Sequence, residues 1–426
     1  KMKKKYLKNI FVDNIYIKKT KLLISSSIFS RLITLISLPI ITRIYDPDNF
    51  GVYTAFASII AIINPISTFR YERAIVIAKN SKEEETIVFA SIVFSIITSV
   101  LIFFGIIIIH NYFFKFRNFV EILIFFPFGS MLVGFYQPLY YLAVKRKKFK
   151  SISISKLIQS IGCFFTQIIF SSTGSIGLIL GFIILNSSGF EFSLFKILKI
   201  KLKRFRKNIL SIPKIVKKYK DFGFYLTLSS IIESLGNEFP KIIILNAFGQ
   251  ESLGFLGLSI SLYNIPIFIS NNSLGTFFIG NVNNLFLKNS LKNEIKQIII
   301  NLFVLGLIVC LITNLFAPYL VNLFLTEKWM PTINIIRIIS PLFICELISS
   351  SINSAFYPSR KLKLSFSFQV LISSLKIIPL LVVVGLDYNF NMSLSIFVLG
   401  SCIGYIFQIY SMIKNSINYN KFLTNY

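Results

Sequence analysis

The sequence predicts an all-α integral membrane protein whose twelve transmembrane helices form two pseudo-symmetric six-helix lobes. Three observations predict this. First, 54% of the 426 residues are hydrophobic, mean hydropathy is +0.72, and only 15% are charged, where a soluble chain carries about a quarter. Second, twelve apolar windows reach the roughly 20 residues that a spanning helix needs. Third, the charge is one-sided, with 45 Lys+Arg against 17 Asp+Glu and a net charge of +28. Disorder is excluded, because it requires low hydrophobicity. A soluble nucleic-acid binder is excluded as well, since most of the chain would have no core to enter.

The windows fall at 22–41, 51–69, 86–109, 119–143, 151–172, 174–195, 222–245, 252–278, 297–317, 331–352, 364–385 and 392–413. The fourth is interrupted by Pro127 and Pro138 and the eighth by Pro266. Strands are excluded as spanning elements, because these runs far exceed the length of a barrel strand. The basic residues test the count independently. With the N-terminus placed in the cytoplasm, 36 Lys/Arg fall in inner segments, four in outer loops (Arg43, Lys115, Arg117 and Lys328) and five within spans. That alternation is the positive-inside pattern and places both termini in the cytoplasm. The basic start runs into the first window without a small-residue cleavage site, which reads as a signal-anchor.

The organisation follows. A basic N-terminus (1–21) precedes an N-lobe (22–195), a basic cytoplasmic linker (196–221), a C-lobe (222–414) and a short C-terminus (415–426). The linker centres on Lys201-Leu202-Lys203-Arg204-Phe205-Arg206-Lys207. A repeat is visible across it. Leu38-Pro39-Ile40-Ile41 followed by Phe50-Gly51-Val52-Tyr53 in the first half parallels Phe239-Pro240-Lys241-Ile242 followed by Leu253-Gly254-Phe255-Leu256 in the second. Six spans per half make this a parallel repeat about an axis along the membrane normal.

Enzyme chemistry lacks its parts. Cys163, Cys310, Cys345 and Cys402 are scattered through apolar stretches, and His110 is the only histidine. These counts predict no disulfide framework, metal or cofactor, and no nucleotide-binding motif is present. The outer loops are too short for a catalytic domain.

Charges at membrane depth are the candidate functional residues, because each costs about 2.5–3.5 kcal/mol at mid-helix. Arg31 lies mid-span on a stripe with Ser27, Ser30 and Thr34. Lys376 lies mid-span in the eleventh window with Gln369 and Ser373 on its face, and Glu233 mid-span in the seventh with Asn237 and Lys241. Lys156 shares a face with Ser160, Cys163 and Gln167 near the inner end of the fifth, where it could instead reach the interface. Arg337 and Glu346, in the tenth, are an internal pair or part of a wet cavity. Glu121 and Glu191 read as interfacial. Arg31, Lys376, Lys156 and Lys241 suit an anionic substrate, and Arg suits phosphate because its planar fork donates two parallel hydrogen bonds. Glu233 is the candidate for ion coupling. Asn64-Pro65 and Asn264-Ile265-Pro266 are expected to break their helices.

The run from Arg31 through Leu38-Pro39-Ile40-Ile41-Thr42-Arg43-Ile44-Tyr45-Asp46-Pro47-Asp48-Asn49-Phe50-Gly51-Val52-Tyr53 resembles the opening of the Wzx-type polysaccharide flippases. Phe69-Arg70-Tyr71-Glu72-Arg73-Ala74-Ile75 looks like their "L-R-Y-E-x-A-I" loop. Tyr219-Lys220-Asp221-Phe222-Gly223, Asn246-Ala247-Phe248-Gly249 with Gly254, and Glu327-Lys328-Trp329 resemble further family positions. Gly223 stands where the family often has Pro, and Thr326 near a usual Gly.

The resemblance implies a V-shaped alternating-access transporter of the multidrug/oligosaccharidyl-lipid/polysaccharide exporter superfamily. Its implied cargo is an undecaprenyl-pyrophosphate-linked oligosaccharide, moved from the inner to the outer leaflet of a bacterial cytoplasmic membrane. A polysaccharide polymerase and chain-length machinery are the implied partners. Arg31 becomes a cavity cation, and Arg70, Tyr71 and Glu72 an inner gate or structural loop. The alternatives in the same superfamily are a peptidoglycan lipid-precursor flippase and a multidrug-type cation antiporter.

Overall fold

The computed structural model describes residues 25–110, 122–188, 205–287, 291–353 and 362–418. Glu121, Glu191 and the Lys201–Arg204 part of the linker lie outside them. Among the described residues helix is the only regular structure besides short 3-10 turns. The helices are α1 (Ser25–Ile44), α2 (Pro47–Ser67), α3 (Ser81–His110), α4 (Phe125–Lys145), α5 (Phe149–Ile169) and α6 (Ser175–Ser187). There follow α7 (Phe205–Lys218), α8 (Lys220–Leu287), α9 (Leu291–Phe324), α10 (Thr332–Asn353), α11 (Leu362–Gly385) and α12 (Phe390–Asn418). Helix occupies part of every apolar window. Nine runs among the described residues are long and apolar enough to cross a membrane, and Ser175–Ser187 is a shorter apolar helix. Their outer faces carry large exposed side chains such as Phe104, Ile108, Leu315 and Tyr410, as helices with lipid for solvent must.

Two expectations about breaks are corrected. α2 continues past Pro65, α4 past Pro138 and α8 past Pro266. In apolar surroundings a helix tolerates proline where neighbouring groups take up the freed carbonyls. The true break is at Gly249, whose φ of 84° and ψ of 180° divide α8 into two arms. Glycine bears that conformation because it has no Cβ.

Backbone contacts divide the chain into two compact units. Unit 1 is Lys1–Ile41 with Ile59–Ile231; unit 2 is Thr42–Ser58 with Ile232–Tyr426. In unit 1, α3 packs on α4, α5 on α6, and the linker helix α7 on α3. In unit 2, α12 packs on α10 and α11, and α9 on α10.

Within unit 2, α2 crosses the second arm of α8 backbone to backbone. A Cβ added at Gly51 would lie 1.9 Å from the Gln250 carbonyl oxygen, and one at Gly254 would lie 2.0 Å from that of Pro47. Pro47 precedes Gly51 by four residues, as Gln250 precedes Gly254, so the contact is reciprocal. These are the two glycines that the repeat pairs. Trp329, fully buried, clasps the crossing. Its Nε1 donates to the Thr42 carbonyl at 3.0 Å, and its ring meets Phe50 and Phe255 edge-on at 5.6 and 5.9 Å.

Candidate functional site

Unit 1 gathers its intramembrane charge where α1, α4 and α5 meet. The polar stripe on α1 is turned inward at Ser27 and Ser30, both buried. Ser30 donates to the Lys156 carbonyl at 3.0 Å, and Lys156 Nζ donates to the Ser27 hydroxyl at 2.8 Å. The ammonium also lies 6.0 Å from the centre of the Tyr140 ring, near the outer limit for a cation–π contact. Lys156 is half-buried, Arg31 is exposed, and the charge that acts on Lys156 is the Arg31 guanidinium. Ser155 and Gln159, close to Lys156 on α5, donate to the Ser188 carbonyl at 3.4 and 2.9 Å.

Unit 2 builds a different site around Lys376. This side chain is 4% exposed. Its Nζ donates to Asn237 Oδ1 and to the Tyr405 hydroxyl, each at 2.7 Å, and lies 4.5 Å from the Tyr405 ring centre. The charges acting on it are mainly attractive. They are the carboxylates of Glu346, Glu233 and Glu238, opposed by the Lys241 ammonium. Lys241 in turn pairs with Glu238 at 2.7 Å. α11 and α8 approach closely here: Ser373 donates to the Ile232 carbonyl at 2.9 Å, and a Cβ on Gly236 would lie 2.2 Å from the Ser373 hydroxyl oxygen. Glu233, Glu346 and Lys241 thus act on Lys376 at a distance, and no ion pair joins Lys376 to a carboxylate among the described residues. Arg337 is exposed and stands apart from Glu346. Nine helical residues separate them by about 13 Å, and no ion pair joins them among the described residues.

Arg70, Tyr71 and Glu72 lie in unit 1 at a strained turn. Phe69 and Arg70 take the left-handed conformation, with φ of 48° and 52°, and lead into a 3-10 helix at Tyr71–Ile77. Non-glycine residues hold such backbone only where the surroundings enforce it. Here Glu72, fully buried, accepts from the Thr68 hydroxyl at 2.6 Å and pairs with Arg70 at 3.6 Å. Tyr71 donates to the Val216 carbonyl of α7 at 3.4 Å. Its ring fills the space beside Gly223, where a Cβ would lie 2.7 Å from it. A proline ring would collide there, which gives the departure at Gly223 a physical cause.

Sequence reasoning missed Tyr140, Glu238 and Tyr405. Glu238 was in plain view beside Asn237. Tyr405 carried the signal that Ser401 and Gln408 share its stretch of α12, a polar stripe in an apolar helix.

Comparison with known proteins adds the family. A family model described as polysaccharide biosynthesis protein matches residues 40–334. No curated protein sequence matches the chain closely enough to count as a relative. Among solved structures, the lipid II flippase MurJ in an inward closed conformation matches with a TM-score of 0.64 at 16% identity, covering 94% of this chain and 90% of that one. An outward-facing multidrug resistance MATE family transporter of the MOP superfamily matches with a TM-score of 0.63 at 15% identity, covering 96% of both chains. A MOP superfamily transporter from Pyrococcus furiosus, described as having a binding pocket of reversed polarity, matches with a TM-score of 0.60 at 15% identity over 95% of both. The chain thus has the fold of these transporters, spans the membrane several times, and belongs to the polysaccharide biosynthesis protein family.

Proposed function

We propose that the protein is a flippase for undecaprenyl-pyrophosphate-linked oligosaccharide, the repeat unit of an O-antigen, capsule or other surface polysaccharide. It carries this lipid from the inner to the outer leaflet of the bacterial cytoplasmic membrane by alternating access, with both termini in the cytoplasm. A polymerase and chain-length machinery would consume the product outside. One observation carries the reading: the polar stripe of α1 meets α5 at Lys156, where Lys156 Nζ donates to Ser27, Ser30 donates to the Lys156 carbonyl, and Arg31 is near enough to act on the ammonium. Each cation is costly in apolar surroundings, and the two repel each other. A pyrophosphate relieves both costs, and each charge-assisted hydrogen bond adds about 1.5–3 kcal/mol.

Lys376 and Lys241 fit the anion role less well. Carboxylates already surround both, and an incoming anion would meet Glu233, Glu238 and Glu346 as well. Three carboxylates against two ammoniums leave a surplus negative charge, which supports Glu233 and its cluster as the place where a proton or cation gradient is coupled. A peptidoglycan lipid-precursor flippase uses the same pyrophosphate chemistry and differs in the glycan. The test is surface polysaccharide in a strain lacking the gene, complemented by Arg31→Ala with Lys156→Ala. The reading predicts loss of surface polysaccharide with normal protein in the membrane. Full restoration by the double variant overturns it.

A further inference from the structure

At one end of unit 1 Glu72, Glu83 and Glu84 are taken up by internal contacts, and the exposed charge is mostly basic. Glu72 is spent on Thr68 and Arg70. Glu84 is spent on Lys145 and Arg146, at 3.2 and 3.1 Å. Glu83 binds Lys218, the Tyr219 hydroxyl at 3.1 Å and the Lys79 amide at 3.0 Å. Lys145 also donates to the Ile75 carbonyl at 2.9 Å. These contacts tie the 3-10 turn, the start of α3, the end of α4 and the linker helix α7 into one structure. What remains outside is mostly basic. Lys79, Lys82, Lys148, Lys150, Lys214 and Lys217 are exposed, and none joins an ion pair among the described residues.

α7 shows the same division along its own axis. Ile215 and Tyr219, four residues apart, are buried in a core with Tyr71, Ile87 and Leu142, while Lys214 and Lys217 point away. Apolar side chains stand in the open beside the lysines. Phe69, Val76 and Ile77 are 39%, 50% and 49% exposed. Lysines alone suit water, and exposed Val and Ile alone suit hydrocarbon. The two together suit the headgroup level of a leaflet with negative charge.

We infer that this rim is a binding surface for anionic phospholipid headgroups of the cytoplasmic leaflet. The lysines hold the phosphates, and Phe69, Val76 and Ile77 dip toward the acyl chains. The inference rests on the proposed orientation and is independent of the transported glycan. Near a charged leaflet each lysine contributes about fivefold to lipid partitioning, and the effect fades as salt shortens the Debye length.

The experiment is native mass spectrometry of the full-length protein in zwitterionic detergent, offered phosphatidylglycerol or phosphatidylcholine. The wild type should retain phosphatidylglycerol preferentially, and 0.5 M salt should reduce that preference. Substituting Lys148, Lys150, Lys214 and Lys217 by Gln should remove at least tenfold of it, with the thermal midpoint unchanged. Val76→Ser with Ile77→Ser should weaken retention of both lipids. Equal retention of the two lipids by the wild type, an unchanged preference in the quadruple variant, or displacement of the lipid by millimolar inorganic phosphate would each overturn the inference. A flippase that fails to transport while keeping its lipid preference would instead count against the functional reading alone.

Discussion

Two lysines stand on corresponding helices of the two halves and sit in different electrostatic surroundings. Lys156 is on α5, the fifth apolar segment of the first half, and Lys376 is on α11, the fifth of the second. Each reaches the first helix of its own half, Lys156 at Ser27 and Lys376 at Asn237. There the likeness ends. Beside Ser27 that helix carries Arg31; around Asn237 it carries Glu233 and Glu238. The Arg31 guanidinium acts on the first lysine, and mainly carboxylates act on the second. A repeat can keep its helices and change its chemistry at one helical turn.

The comparison is broken or sharpened by four substitutions. Lys376→Met has the largest expected effect. It removes the two charge-assisted hydrogen bonds to Asn237 and Tyr405, each worth about 1.5–3 kcal/mol. The thermal midpoint of the purified protein should fall by several degrees. Gly254→Ala should follow at about 1–3 kcal/mol, because its methyl group would strike the Pro47 carbonyl and force α2 away from α8. The same loss for Gly51→Ala would support the reciprocity of the crossing; a tolerated alanine at both glycines would contradict it. Lys156→Met should change stability by about 1 kcal/mol or less, in either direction, since relief of repulsion from Arg31 offsets the lost bond to Ser27. A large destabilisation would mean that unit 1 holds its lysine as unit 2 does.

The smallest effect concerns pH. The hydrogen bond from Lys218, with help from the Lys79 amide, holds the Glu83 carboxyl below its ordinary 4.5, at about 2. The folded value is the lower one, so this contact stabilises the docked α7 fully above about pH 4.5 and is lost as the pH falls toward 2. The thermal midpoint of the wild type should decline across that window slightly more steeply than that of Glu83→Gln. Parallel curves would remove Glu83 from the account.

Much of the fold was legible because the bilayer leaves so few options. A segment in lipid satisfies its backbone internally, so each apolar run of about 20 residues declares itself a helix. The interruptions were legible only in part. Pro65, Pro138 and Pro266 proclaim breaks that the helices do not make, whereas the break at Gly249 falls in the gap between the seventh and eighth windows. The candidate site divides in the same way. Arg31, Lys156, Lys376 and Glu233 could be found from depth alone, because charge in an apolar run is costly wherever it faces. Which of them share a neighbourhood depends on how helices pack, and that is set by side-chain fit between segments distant in sequence. So Tyr405 stayed hidden as the partner of Lys376, and of the two readings of Arg337 and Glu346, a pair or part of a cavity, the rise of one helix removes the pair.

The central claim is that unit 1 holds the anion and unit 2 compensates its own charge. Calorimetric titration of inorganic pyrophosphate into the purified protein tests it most directly, at a temperature where every variant is folded. The account predicts binding by the wild type, loss of at least about 100-fold in affinity for Arg31→Ala with Lys156→Ala, and affinity within about threefold of wild type for Lys376→Met. Loss of binding in Lys376→Met with full affinity in the double variant would contradict it.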